Sequence, residues 1–176
     1  MGRTKVNIIL VVMTVFAFGF TNPDQTLNLT GDYNLFKIDR SRDPDIVLYD
    51  VNVDSLGNLN TSMPISVYWK KFTDNGTFES LTGIQKKFGY GIKFQNINES
   101  SAAFKFVSSL DRIFELKKSG NDAYRVYTYA EGKKVEVKSL SIHFEDDSFW
   151  FPAISKIELV GLDTEKGKLI TETIIP

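Results

Sequence analysis

From Ile46 to Val53 apolar and polar side chains take turns, with Val47, Tyr49, Val51 and Val53 sharing one side of the chain. A period of two in β-branched and aromatic residues is the pattern of a strand with one buried face. Asp54 to Asn58 breaks the pattern as a turn. Ile65, Val67 and Trp69 then alternate with Ser66, Tyr68 and Lys70, a second strand that Thr73-Asp74-Asn75-Gly76 closes. Pro64 stands at its entry, where a missing N–H costs least. The same rhythm predicts strands over 90–94, 103–107, 113–116, 124–129, 135–144, 154–160 and 169–174, separated by Gly- and Asn-containing turns. In the longest of these the apolar phase slips, from Val135/Val137 to Leu140/Ile142/Phe144. A slip of one residue predicts a β-bulge near Lys138-Ser139. Only Leu81 to Phe88 reads as helix, with Ile84 and Phe88 four apart and Gly89 as the stop. The pattern predicts an all-β domain over residues 35–176. Its expected form is an antiparallel β-sandwich, with barrel-like closure as the alternative and one short helix near 81–88.

The N-terminus has a different texture. Arg3 and Lys5 precede an apolar run from Val6 to Phe20, followed by the polar Thr21-Asn22-Pro23-Asp24. At about 1.5 Å per residue the run spans roughly 22 Å, short of a ~30 Å hydrocarbon core. A basic head, a short apolar run and small residues at Ala17 and Gly19 are the order of a secretory signal peptide. The expectation is a leader over 1–19 cleaved near Gly19, a linker over 20–34, and an exported, periplasmic, soluble domain. An uncleaved anchor or a buried N-terminal helix are the competing readings. No later run approaches membrane length, so no transmembrane segment is expected in the mature chain.

Composition narrows the chemistry. At 176 residues the chain has room for one domain. Lys+Arg 21 against Asp+Glu 22 leaves a net charge of -1, so no basic face awaits nucleic acid. There is no cysteine, which excludes disulfides, thiolate metal sites, a cysteine nucleophile and a lipid-modified cysteine after the leader. No metal and no cofactor is implied. The single histidine, His143, falls opposite Ile142 and Phe144 on its strand, beside Ser141 and Glu145. It is the one weak catalytic candidate, since a general base needs an orienting acid and a reacting partner in one cleft. No Gly-x-Ser-x-Gly elbow accompanies it. Glu145-Asp146-Asp147 lacks the ligand spacing of a calcium loop, and strand alternation accounts for Asp50-x-Asn52-x-Asp54 without an ion. The Asn-x-Ser/Thr sequons at Asn28, Asn60, Asn75 and Asn98 are read as turn composition.

The aromatic residues are the better candidates for binding. Tyr68-Trp69 and Phe149-Trp150-Phe151 put adjacent rings on opposite faces of an extended chain, so one ring of each set points away from the core. In Gln85-Lys86-Lys87-Phe88-Gly89-Tyr90-Gly91 two glycines free the backbone around a ring, allowing another backbone or a ligand to come close. Tyr68, Trp69, Gln85, Lys86, Tyr90 and Trp150 are therefore the candidate ligand-binding residues. The competing reading makes the segment architecture, with Gln85 satisfying loop groups and Gly89 ending a helix.

Tyr49-Asp-Val-Asn52, Pro64-Ile-x-Val-Tyr-Trp69, Leu81-Thr-x-Ile-Gln-x-Lys-Phe-x-Tyr-Gly91, Phe149-Trp-Phe-Pro-x-Ile154 and Ile157-Glu-Leu159 resemble, in the same order, the bacterial domain of unknown function 4833. The resemblance runs from about Leu35 to Glu172. It implies an exported protein, chiefly of the Bacteroidetes, and brings no activity, substrate or catalytic residues with it. Three functions are then open: a periplasmic binding or interaction module for an envelope protein or glycan, a hydrolase of an envelope polymer using His143 and a carboxylate, and a structural envelope accessory without a small ligand.

Overall fold

The computed structural model describes residues 33–120, 122–145 and 153–176. The predicted leader, almost all of the linker, and Trp150 lie outside the described residues. Among those residues no helix is long and apolar enough to cross a membrane.

The strands, in chain order, are β1 (Asn34–Arg40), β2 (Asp43–Val51), β3 (Ile65–Lys71), β4 (Thr77–Ser80), β5 (Ile92–Gln95), β6 (Ser101–Phe106), β7 (Ser109–Lys118), β8 (Tyr124–Ala130), β9 (Lys133–Phe144), β10 (Ile154–Asp163) and β11 (Leu169–Ile174), with α1 (Gly83–Phe88) between β4 and β5. They form a single sheet in the order β4-β3-β2-β1-β9-β8-β7-β6-β5, and β10 lines the far edge of β9 and carries β11. The domain is all-β with one short helix. β9 is its spine. Along one edge, residues 133–136 pair with β8 and residues 139–142 pair with β1. Between these stretches Ser139 faces Val160 and Val137 faces Gly161, so Lys138 is left without a partner on β10. This is the bulge that the apolar phase slip predicts.

The β1–β9 pairing is parallel, and the other pairings are antiparallel. The sheet is therefore mixed and curled into a half-barrel, in line with the barrel-like alternative and not with the antiparallel sandwich. Alternation reports which face of a strand is buried and is silent about strand direction. β4 escaped the pattern because it is short and exposed throughout. β1 begins at Asn34, one residue before the expected domain boundary.

Two arms leave the same edge of β9, and their inner faces meet. Phe36 stacks on Tyr49 with ring centroids 4.4 Å apart, and Phe106 sets its edge against both at 6.1 and 5.7 Å. Phe104 and Phe114 stack at 5.4 Å behind them. The Tyr49 hydroxyl donates to the Tyr90 carbonyl at 2.7 Å, and burial pushes its pKa well up, so it stays a donor. Ring burial of this size is the dominant stabilising term of the core.

Candidate functional site

α1 is short, and its position comes from its ends. Thr82 is the N-cap: its hydroxyl accepts the Gln85 N–H at 3.3 Å, while Gln85 Oε1 accepts the Thr82 N–H at 2.9 Å. Two N–H groups that the first turn would leave orphaned are thereby satisfied. At the other end the Gln85 carbonyl accepts from both Gly89 and Tyr90, at 3.0 and 2.9 Å. Gln85 Oε1 also accepts Trp69 Nε1–H at 3.3 Å. The buried Trp69 ring packs edge-on to Tyr90 at 5.2 Å, with the Arg40 guanidinium 4.5 Å and Lys71 Nζ 5.0 Å from its centroid. Burial raises the Tyr90 pKa, and the Arg40 charge and hydrogen bond oppose that shift. Arg40 also ion-pairs with Asp43, while its Nε is buried without a hydrogen-bond partner. Lys71 pairs with Asp45 at 3.2 Å, and Asp45 accepts the Thr73 N–H and hydroxyl, holding its carboxyl below the ordinary range.

Of the sequence candidates, the fold gathers Trp69, Gln85 and Tyr90 into one cluster. Tyr68 points to the other face of β3, where its hydroxyl donates to Asp50 and its ring meets Phe78 edge-on at 5.5 Å. Burial first, and then the Asp50 carboxylate, holds the Tyr68 pKa well above the usual phenol value. Lys86 is exposed on the outer side of α1. His143 Nε2 lies 3.1 Å from Glu158 Oε2, and Lys156 Nζ lies 2.7 Å from Glu158 Oε1. The Lys156 contact first, and then His143, lowers the Glu158 pKa. Among the described residues no group of His, Asp or Glu converges to hold a metal ion. The Thr82-x-x-Gln85 spacing is itself a capping-box pattern, the sequence trace of the role Gln85 takes.

Beyond Tyr90 the inner side of the curl opens into a cavity of about 200 Å³. Ile38, Leu140 and Ile142 floor it from β1 and β9, and Ile157 and Leu159 continue the floor along β10. Phe106 and Phe114 form the opposite wall, and Phe88 and Ile154 stand at its edge. His143 alternates with Ile142 and Phe144, both of which line this cavity, so the imidazole is on the sheet's other face. Among the described residues the polar lining is Ser108 and Arg112, with Gly89 and Tyr90 beside them. Arg112 is committed elsewhere: Nη1 and Nη2 each donate to Glu172 at 2.7 Å, and Nη1 also reaches the Tyr129 carbonyl at 2.9 Å. These bonds hold the Glu172 carboxyl below its ordinary range and leave a neutral pair at the cavity edge. The cavity was not legible in the sequence. Its lining residues are ordinary inward positions of strands, and only the post-bulge phase Leu140/Ile142/Phe144 hinted that β9 turns a second apolar surface inward.

A family model described as Domain of unknown function (DUF4833) matches residues 36–173, most of the chain. No curated protein and no solved structure matches it.

Proposed function

We propose that this chain, which belongs to the DUF4833 family, is a binding module that holds an uncharged apolar ligand, or the apolar end of a larger one, in the cavity beneath its curled sheet. The observation that carries the reading is the lining: among the described residues it is aliphatic and aromatic apart from Ser108 and Arg112, and the Arg112 charge is already neutralised by Glu172. A charge brought into such a space would lose its hydration and find no free counter-charge among the described lining residues. Hydrocarbon gains about 0.8 kcal/mol per buried methylene there. An apolar cavity of ~150 Å³ takes up benzene, so the volume here suits one ring or a short aliphatic segment. The Trp69–Gln85–Tyr90 cluster supports the site by fixing the chain that forms its end wall.

N-phenyl-1-naphthylamine, an uncharged dye that brightens in apolar surroundings, is the direct probe. The protein should bind it saturably and release it to 1-decanol. Ile174→Trp puts a large ring into the cavity from an edge strand. It should abolish the fluorescence gain while leaving the melting temperature close to that of the parent. Absence of saturable binding, or equal binding by this folded variant, would overturn the proposal.

A further inference from the structure

The outer face of α1 has no covering within the described residues. Ile84 is 75% exposed and Phe88 is 66% exposed, and four residues of helix put them on one side. Lys87, three residues from Ile84 and adjacent to Phe88, is exposed beside them, and Lys86 is exposed on the other side of the helix; among the described residues neither has a carboxylate within ion-pair distance. Lys87 Nζ lies 5.1 Å from the Phe88 ring centroid, a cation held against an apolar ring. A single exposed apolar residue needs no account. Here two of them share one short helix with two lysines that have no carboxylate partner among the described residues, and Phe88 also lines the cavity. Ile154, 37% exposed, stands at that edge as well.

We propose that this face is a docking surface for an anionic lipid bilayer, and that it brings the cavity mouth to an acyl chain of a membrane lipid. The proposal rests on the apolar-ligand reading above and names the source of the ligand. Charge complementarity selects the occupant: the exposed Ile84 and Phe88 groups enter the interface while Lys87 beside them meets anionic headgroups, and Lys86 adds positive charge to the same short helix. The helix can carry the load because its inner side is fixed. Gln85 is bonded to Trp69, and the Lys86 carbonyl packs so closely on Gly91 that a Cβ there would lie 1.8 Å from it. Phe88 then links the two halves of the site, touching the bilayer on one side and the cavity on the other.

Flotation with vesicles tests it, using the full chain. Vesicles of equal parts phosphatidylglycerol and phosphatidylcholine should carry the protein upward at low salt, and pure phosphatidylcholine vesicles should carry much less. Lys86→Glu with Lys87→Glu should weaken the interaction at least about tenfold. Ile84→Ser should weaken it too, since Ile84 lies outside the cavity lining. Both variants should keep the parent's dye binding in solution, because neither alters the cavity. Equal flotation with both vesicle types, or flotation untouched by these variants, overturns the docking surface. Dye binding without flotation rejects the surface and leaves the cavity reading standing; flotation without dye binding does the reverse. Concentration-dependent dimerisation abolished by Ile84→Ser would assign the face to a second copy of the chain and also overturn the proposal.

Discussion

At the scale of single residues, the most demanding position is one with no side chain. Gly91 passes under the end of α1, where an added Cβ would meet the Lys86 carbonyl oxygen at 1.8 Å and its carbon at 2.8 Å. Backbone, unlike the end of a flexible side chain, cannot swing away. Gly91→Ala should therefore cost about 2 kcal/mol or more, readable as a fall in the denaturation midpoint. A variant as stable as the parent would show that α1 can lift off the chain beneath it at little cost. The flanking glycines pointed to a close approach in the sequence, and the approaching group is the helix's own backbone. Tyr68 and Trp69 show the limit of such reading. Alternation put them on opposite faces, yet both are buried, because Phe78 and Asp50 cover the Tyr68 side.

At the scale of elements, β9 and α1 decide the site. The unpaired Lys138 separates the part of β9 that holds β8 from the part that holds β1, and the cavity floor lies along the second part. Gly161 sits across from the bulge, and a Cβ there would press to 2.5 Å of Val135 Cγ2. Bulge and glycine together let β10 follow the bend of β9. α1 is too short to be stable by itself, so its cap and its bond to Trp69 set its position. Gln85→Ala removes the acceptor for both Thr82 N–H and Trp69 Nε1–H, and should lower stability by about 1–2 kcal/mol. Gln85→Glu keeps an oxygen for each donor and adds a negative charge near a helix N-terminus, so it should stay within about 0.5 kcal/mol of the parent. Chemical denaturation of the pair distinguishes a cap from a mere space-filler: equal losses would mean that hydrogen bonding is irrelevant there.

At the scale of the whole molecule, Arg112 on β7 and Glu172 on β11 tie the two sides of the curl together at the cavity edge. The Arg112 hydrogen bonds hold the folded-state pKa of Glu172 below its unfolded value. The stabilisation is therefore present in full above the ordinary carboxylate range and is lost as pH falls through the lower folded-state value. Glu172→Gln should melt clearly below the parent at neutral pH, and the gap should close as pH drops well below about 4. A gap independent of pH would mean that the ion pair contributes only by shape. Asp45, held low by Thr73 and Lys71, loses stabilisation in the same direction, so the parent's own melting temperature should also fall on acidification.

The sequence by itself determined the local quantities: strand faces, most turns, the short helix and its stop, and the bulge near Lys138. Each of these depends on a few neighbouring residues, through the period of two in a pleated strand, the freedom of glycine, or a slip in that period. It also carried the family resemblance through strings such as Pro64-Ile-x-Val-Tyr-Trp69. Only the tertiary structure decided the rest. The parallel contact of β1 with β9 joins residues about a hundred positions apart, and nothing local encodes its direction. The cavity is a remainder, the space left where the curl brings Ile38, Leu140 and Leu159 near Phe106 and Phe114 without filling the gap. Sequence periodicity marks all of these as core, because burial against another side chain and burial around an empty space leave the same pattern along a strand.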